Sequence, residues 1–224
     1  MSAMATPSAT LQTARTTVHR LSQRAAYDRD TIYAILDEAL ICHVGFVVEG
    51  APVVIPTIHW READNLYFHG SHAAGFLRAL RGGAEACVTV TLLDGLVLAR
   101  SAFHHSMNYR SVVVRGVARE VTGDEKRIAF DALVEHVCKG RSRDARPANE
   151  AESKQTLVLS LPIEEASAKI RTGGPLDDEE DYALDIWAGV VPLRLTPQPP
   201  IADERLKSGV ETPGYVTNYQ RPTR

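Results

Sequence analysis

The run from Phe103 to Gly116, FHHSMNYRSVVVRG, gathers hydrogen-bonding side chains and feeds them into a β-branched segment. Such a cluster suits a phosphate-bearing cofactor. Arg110 can fork onto a phosphate, Ser106, Asn108, Tyr109 and Ser111 can donate around it, and a strand through Val112 and Val114 would fix their geometry. Five histidines, His43, His69, His72, His104 and His105, raise the separate question of a metal or haem. Adjacent histidines on a strand point to opposite faces, and no HxH or HExxH spacing occurs, so no metal site is expected. Haem is the better rival, since one exposed imidazole can ligate iron. An ordinary role competes with the ligand role at Arg110, namely pairing with a carboxylate on the sheet surface.

The elements that would position these residues follow from the pattern. Asp28 is a plausible N-cap for a helix whose Ile32, Ile35, Leu36, Ala39 and Leu40 recur at helical spacing. ICHVGFVV (41–48), a turn at Glu49-Gly50, VVIPTIHW (53–60), a turn through Asp64-Asn65 and LYFHG (66–70) read as an antiparallel meander. Ser71 to Arg81 reads as a short helix ended by Gly82-Gly83, with an N-terminus able to hold an anion. Two strands, 86–92 and 96–101, are expected either side of an Asp94-Gly95 turn, followed by a long strand from Tyr109 to Val121. A helix from Asp124 to about Lys139, a polar loop at 141–147 and strands at 156–161 and 163–170 complete the count. So many antiparallel strands suggest a mainly β fold, a closed β-barrel with α-helices.

The chain has 224 residues, 44% of them hydrophobic, and a net charge of -3, enough for one core and without the basic excess that would hold nucleic acid. Residues 1–23 read as a flexible tail, 24–196 as the domain and 197–224 as a Pro-rich extension. The first 27 residues carry arginines but no acid, a composition shared with targeting peptides. No apolar run reaches membrane-spanning length and no secretory h-region opens the chain, so a soluble, cytoplasmic protein is expected. Cys42, Cys87 and Cys138 lie in apolar runs and read as reduced thiols. The acidic run Asp177 to Asp181 reads as a solvated loop whose consecutive carboxylates do not converge, and the Arg141 to Arg146 cluster likewise. Trp187, Val190, Val191 and Leu193 need cover, from the barrel or from a partner.

The segments ILDEALICHVGF, HGSHAAGFLRAL, GLVLARSAFHHSMNYRSV and SAKIRTGGP…WAGVVP together resemble the pyridoxamine 5'-phosphate oxidase-like flavoproteins, most nearly their nitroimidazole-resistance branch. The resemblance implies an FMN-binding split barrel, a homodimer with one FMN in each of two shared clefts. It puts Ile55, Pro56 and Thr57 beside the ring, His69, Gly70, Ser71 and His72 at the ribityl phosphate, and Asn108, Tyr109, Arg110 and Ser111 on the second contacting strand. Trp187 would pack on the flavin from the partner chain. Where the family commonly has Arg or Lys in the short helix, this chain has Gly75 and Phe76, and Arg78 is the nearest cation. The C-terminal motif of the vitamin B6 oxidases is absent, which argues against pyridoxamine phosphate as substrate. The implied activity is an FMN-dependent oxidoreductase passing electrons from a reduced donor, plausibly a nicotinamide nucleotide, to a small-molecule substrate, with His69 and His104 as proton donors. Alternatives are a non-enzymatic carrier of flavin or haem, a haem-binding split-barrel protein, or a dimer whose site has degenerated, and FAD and haem are the alternative cofactors to FMN.

Overall fold

The computed structural model describes residues 10–221. Its elements are β1 (Ala25–Ala26), α1 (Arg29–Glu38), β2 (Ile41–Val48), β3 (Ala51–Ile58), β4 (Trp60–Glu62), β5 (Asn65–Ser71), α2 (Gly75–Arg81) and β6 (Glu85–Leu98). There follow β7 (Ser106–Val117), β8 (Arg119–Glu120), α3 (Gly123–Val137), α4 (Glu150–Gln155), β9 (Thr156–Pro162), β10 (Glu165–Arg171), β11 (Gly189–Pro192) and α5 (Gly214–Thr217). All pairing is antiparallel. One sheet runs β1-β10-β7-β6-β2-β3 with β11 added to β6, and the second runs β4-β5-β9-β8. The fold is therefore a mainly β split barrel. The expected closed barrel is not formed as one continuous ladder, because the chain changes sheets at His59 and at Ala118, where the two expected long strands each break.

Local chemistry explains several elements. Asp28 accepts a hydrogen bond from Thr31 N at 2.8 Å, capping α1, and Ile32, Ile35 and Leu36 turn inward. Glu49 (φ 51°) and Gly50 (φ 79°) both take positive φ, as a two-residue turn matched to strand twist requires, and they close the β2–β3 hairpin in register. The main core lies between the sheets: Val44, Val88, Val112, Val114 and Ala168 from the large sheet meet Leu66, Phe68, Leu157, Leu159 and Leu161 from the small one. Each large side chain buried there contributes about 1.5–3 kcal/mol before entropy is counted. Burial pushes the Cys42 thiol in this core up to about 12, and the three cysteines are free.

Three expectations change. Asp94-Gly95 is a bulge inside the single strand β6, with a register shift between Leu93 and Gly95 against β7. Gly95 is needed for close approach: a Cβ there would meet the Val191 carbonyl oxygen at 3.0 Å. Order begins well before Asp28, since Leu11 is buried in the main core and exchanges backbone hydrogen bonds with Tyr27 and Ala166. Residues 1–9 of the expected flexible tail lie outside the described residues. The C-terminal extension folds back, with Arg221 donating to the carbonyls of Asp37, Glu38 and His136. No helix among the described residues is long and apolar enough to cross a membrane.

Candidate functional site

At the end of β5 the chain turns at Ser71–Ala74 before entering α2. Ala74 N donates to Ser71 O at 2.9 Å and Ala73 N to Ser71 Oγ at 3.2 Å. The helix thus starts at Gly75, four residues later than expected, and the Ser71 and His72 amides belong to the turn. Around it opens a cleft of about 560 Å³ lined by His69, Gly70, Ser71, His72, Ala73, Gln155 and Thr156. A side chain at Gly70 would bring its Cβ to 3.0 Å from Leu77 Cδ1, so glycine lets α2 close on β5. His69 stands edge-on to buried Trp60 at 5.6 Å, and its Nδ1 is buried with no partner among the described residues. Burial lowers its pKa, which keeps the ring neutral at pH 7. Gln155 and Thr156 enter from the α4–β9 junction, held by Lys126 Nζ, which donates to Ser153 O at 2.8 Å and Thr156 O at 2.6 Å. Sequence reasoning found the β5 side of the cleft and missed this side, because α4 is a short polar helix with no apolar period. Its Asn149–Glu152 capping box was the available signal.

The other expected ligands are elsewhere. Ile55, Pro56 and Thr57 lie on β3, which among the described residues pairs only with β2 and has no strand on its outer edge, so main-chain groups there are available to a ring. Arg110 is committed to carboxylates: Nε and Nη2 donate to Asp94 at 2.9 and 2.8 Å, and Nη1 and Nη2 to Glu38 at 2.5 and 2.9 Å. The ordinary reading of this arginine is what the structure contains. A phosphate at Arg110 would face two carboxylates that already take four of its donor contacts. Ser111 Oγ donates to Lys169 O, and Asn108 is buried, donating to Gly173 O at 3.1 Å and accepting from Arg171. Tyr109 is half-buried between them. Arg78, on α2 beside the turn, is exposed and has no carboxylate partner among the described residues.

Trp187 is 67% exposed, and its ring lies close to Gly189 of its own segment. Of the acidic run, Asp177 has its side chain fully buried and accepts from Arg100 N, Ser101 N and Arg100 Nη1. Burial opposes its charge, yet these donors prevail and hold the carboxyl below its usual range. Contrary to expectation, two of the carboxylates do converge: the turn at 179–183 brings Asp178 and Asp181 together with His104, their ligand atoms within 4.8 Å of one another. Asp178 is three-quarters exposed and pairs with His104 Nε2 at 3.3 Å, so solvent and the imidazole already satisfy it.

The two antiparallel sheets, the turn-lined cleft at the end of β5 and the open edge of β3 define a class, the split-barrel cofactor-binding proteins. The chain belongs to the pyridoxamine 5'-phosphate oxidase family, whose model matches residues 28–170. Among solved structures it is similar to the flavocytochrome Anf3 from Azotobacter vinelandii, at 43% identity over 91% of this chain and 95% of that one, with a TM-score of 0.85. It is also similar to the FAD and heme binding protein from Mycobacterium smegmatis, at 37% identity over 86% and 95% of the two chains, TM-score 0.84. A putative 5-nitroimidazole antibiotic resistance protein from Bacteroides thetaiotaomicron aligns at 27% identity over 65% of this chain and 86% of that one, TM-score 0.56. Within the family the chain is thus more similar to the first two than to the nitroimidazole-resistance protein. No curated protein matches it in sequence.

Proposed function

We propose that the protein is a flavin-dependent redox protein working as a homodimer, with the ribityl phosphate of the flavin in the cleft at the end of β5. The observation that carries this reading is the cleft itself, built on the one glycine, Gly70, that lets α2 close against β5. The residues fit the group. Ser71 and Thr156 offer hydroxyls, Arg78 on the adjoining helix is a cation with no carboxylate partner among the described residues, and the edge of β3 at Ile55 and Thr57 offers main-chain groups of the kind that bond a ring edge. Pro52 and Pro56 lack N–H groups, so the donors along that edge come from their neighbours. A bound flavin would supply one- and two-electron transfer between a reduced donor, a nicotinamide nucleotide in this reading, and a small acceptor. His69, neutral and with a buried free nitrogen, would hold the ring side of the cleft dry against Trp60. Exposed Ile41, Val47, Val54 and Trp187 supply the apolar surface that a second copy would cover.

A haem reading has one observation in its favour: His69 and His72 line the same cleft, and two similar proteins are named for haem or cytochrome content. The absorbance spectrum of purified protein separates the two, with flavin bands at about 375 and 450 nm expected and a Soret band marking haem. Chromatography of the extracted cofactor distinguishes FMN, favoured by the absence of a GxGxxG fingerprint, from FAD. Arg78→Ala should weaken flavin binding by about 1.5–3 kcal/mol, the range for a lost charge-assisted hydrogen bond, and leave the fold intact. Unchanged affinity would remove the phosphate from this cleft.

A further inference from the structure

A second cleft, of about 370 Å³, lies at the end of β10 in the large sheet, lined by Gln23, Arg24, Ile170, Arg171, Thr172, Gly173, Gly174 and Leu176. It shares no residue with the cleft at β5. Arg171, the last residue of β10, is only 6% exposed, yet no carboxylate among the described residues answers it. Its guanidinium donates to neutral oxygens alone: Asn108 Oδ1, Gly173 O at 3.1 Å and Gly174 O at 2.9 Å. Its Nε is buried with no partner among the described residues. Residues 1–9 and 222–224 contain no Asp or Glu, so they cannot furnish the missing side-chain carboxylate. A second cation, half-buried Arg24, stands in the same cleft and also lacks an ion pair among the described residues. Burial, reinforced by the charge of Arg24, lowers the pKa of Arg171, the sign of positive charge without compensation.

A buried guanidinium is ordinarily paired, because removing it from water without a counter-charge costs several kcal/mol. The loop above it is open. Gly173 holds φ at 92°, a Cβ at Gly173 or Gly174 would meet nothing within 4 Å, and the N–H groups of both have no acceptor among the described residues. Two arginines beside backbone N–H groups that have no acceptor among the described residues make a concave surface rich in donors, the kind that holds a phosphate oxyanion. The volume exceeds what a lone ion needs. We propose that the cleft between Arg24 and Arg171 is an anion subsite for a phosphate ester or diphosphate, such as the phosphate part of a nucleotide.

The test is calorimetric titration of the full-length protein with inorganic phosphate, pyrophosphate, ADP and citrate, comparing wild type with Arg24→Gln and Arg171→Lys. Pyrophosphate and ADP should bind, and Arg24→Gln should weaken them roughly tenfold or more without lowering the melting temperature. Arg171 is buried, so its Lys variant keeps charge while losing the fork and should also weaken binding; if it fails to fold, Arg24→Gln alone decides. A free nucleotide as ligand predicts that the same variant leaves affinity for FMN and for FAD unchanged, whereas loss of FAD but not FMN affinity would assign the subsite to the distal phosphate of a bound dinucleotide. Either result supports the subsite independently of where the flavin ring lies. Absence of binding by both pyrophosphate and ADP, equal binding in Arg24→Gln, or citrate binding as tightly as pyrophosphate would overturn it.

Discussion

The C-terminal end of α1 and the cleft at the end of β10 both gather arginines, and they treat them in opposite ways. At α1 every cation meets oxygen. Arg110 forks onto Glu38 and Asp94, Arg61 onto Asp37, and Arg221 crosses the last carbonyls of the helix, where its charge also complements the dipole. At the end of β10, Arg171 and Arg24 line one cleft and neither has a carboxylate partner among the described residues. The contrast teaches how to sort the arginines of a binding fold: charge already neutralised by the chain builds the scaffold, and charge left over is what a ligand can use.

Breaking the α1 side gives the largest expected effect. Arg110→Ala leaves Glu38 and Asp94, both mostly shielded from solvent, facing each other unpaired, and should destabilise the domain by about 3 kcal/mol, as removal of one partner from a buried pair does. Urea denaturation measures it. A variant as stable as wild type that had lost flavin affinity would return Arg110 to the ligand role.

The same helix end carries a pH dependence of similar size. His59 is buried, donates from Nε2 to Leu36 O at 3.1 Å and packs 5.7 Å from His136, which donates to Ala39 O. Burial pushes the His59 ring down to about 4, with His136 and Arg221 adding to the fall and the Leu36 carbonyl opposing it. Because the folded pKa lies below the unfolded value near 6.5, the unfolded state binds more protons between the two. Stability should be full above about pH 6.5 and fall progressively toward pH 4, by about 3 kcal/mol for a shift of this size. Denaturation midpoints measured across that window should slope in wild type and slope less in His59→Asn, with burial of His69 and His136 leaving a residual dependence of the same sign; a flat wild-type profile would refute the assignment.

The smallest effect sharpens the comparison from the C-terminal side. Arg221→Ala should cost about 1 kcal/mol, since its hydrogen bonds go to carbonyls that water can reach once the segment lifts. Hydrogen exchange should speed up at the end of α1 and in the α3 turn near His136, while β5 and β9 stay protected. Uniform loss of protection would mean that the extension is part of the cooperative core.

Legibility in the sequence followed the range of the interaction. The Asp28 cap and the Glu49-Gly50 hairpin were readable because each depends on a few neighbouring residues. The Asp94-Gly95 pair has the composition of a turn, yet β7 pairs along the whole of β6 and the Asp94 carboxylate is drawn to Arg110, so the chain bulges and runs on. Glu38 meets Arg110 across 72 positions, and Leu11 reaches the core from a polar segment, contacts that no local pattern announces. Arg171 was in view within SAKIRTGGP, but a buried arginine is notable only once its lack of a carboxylate is known, and that is a fact of three dimensions.

The pairing of β11 with β6 has a consequence for how the chain must be made. One long edge of β6 is shared, β2 taking Cys87 to Thr89 and β11 taking Gly95 to Leu98. The β2 half is complete as soon as β6 emerges from the ribosome, since β2 precedes it. The β11 half waits for a segment synthesised much later, and until then Leu96, Val97 and Leu98 present unpaired main-chain groups in an apolar strand, the arrangement that recruits foreign strands. The last strand to be translated is thus the one that covers this stretch of the β6 edge.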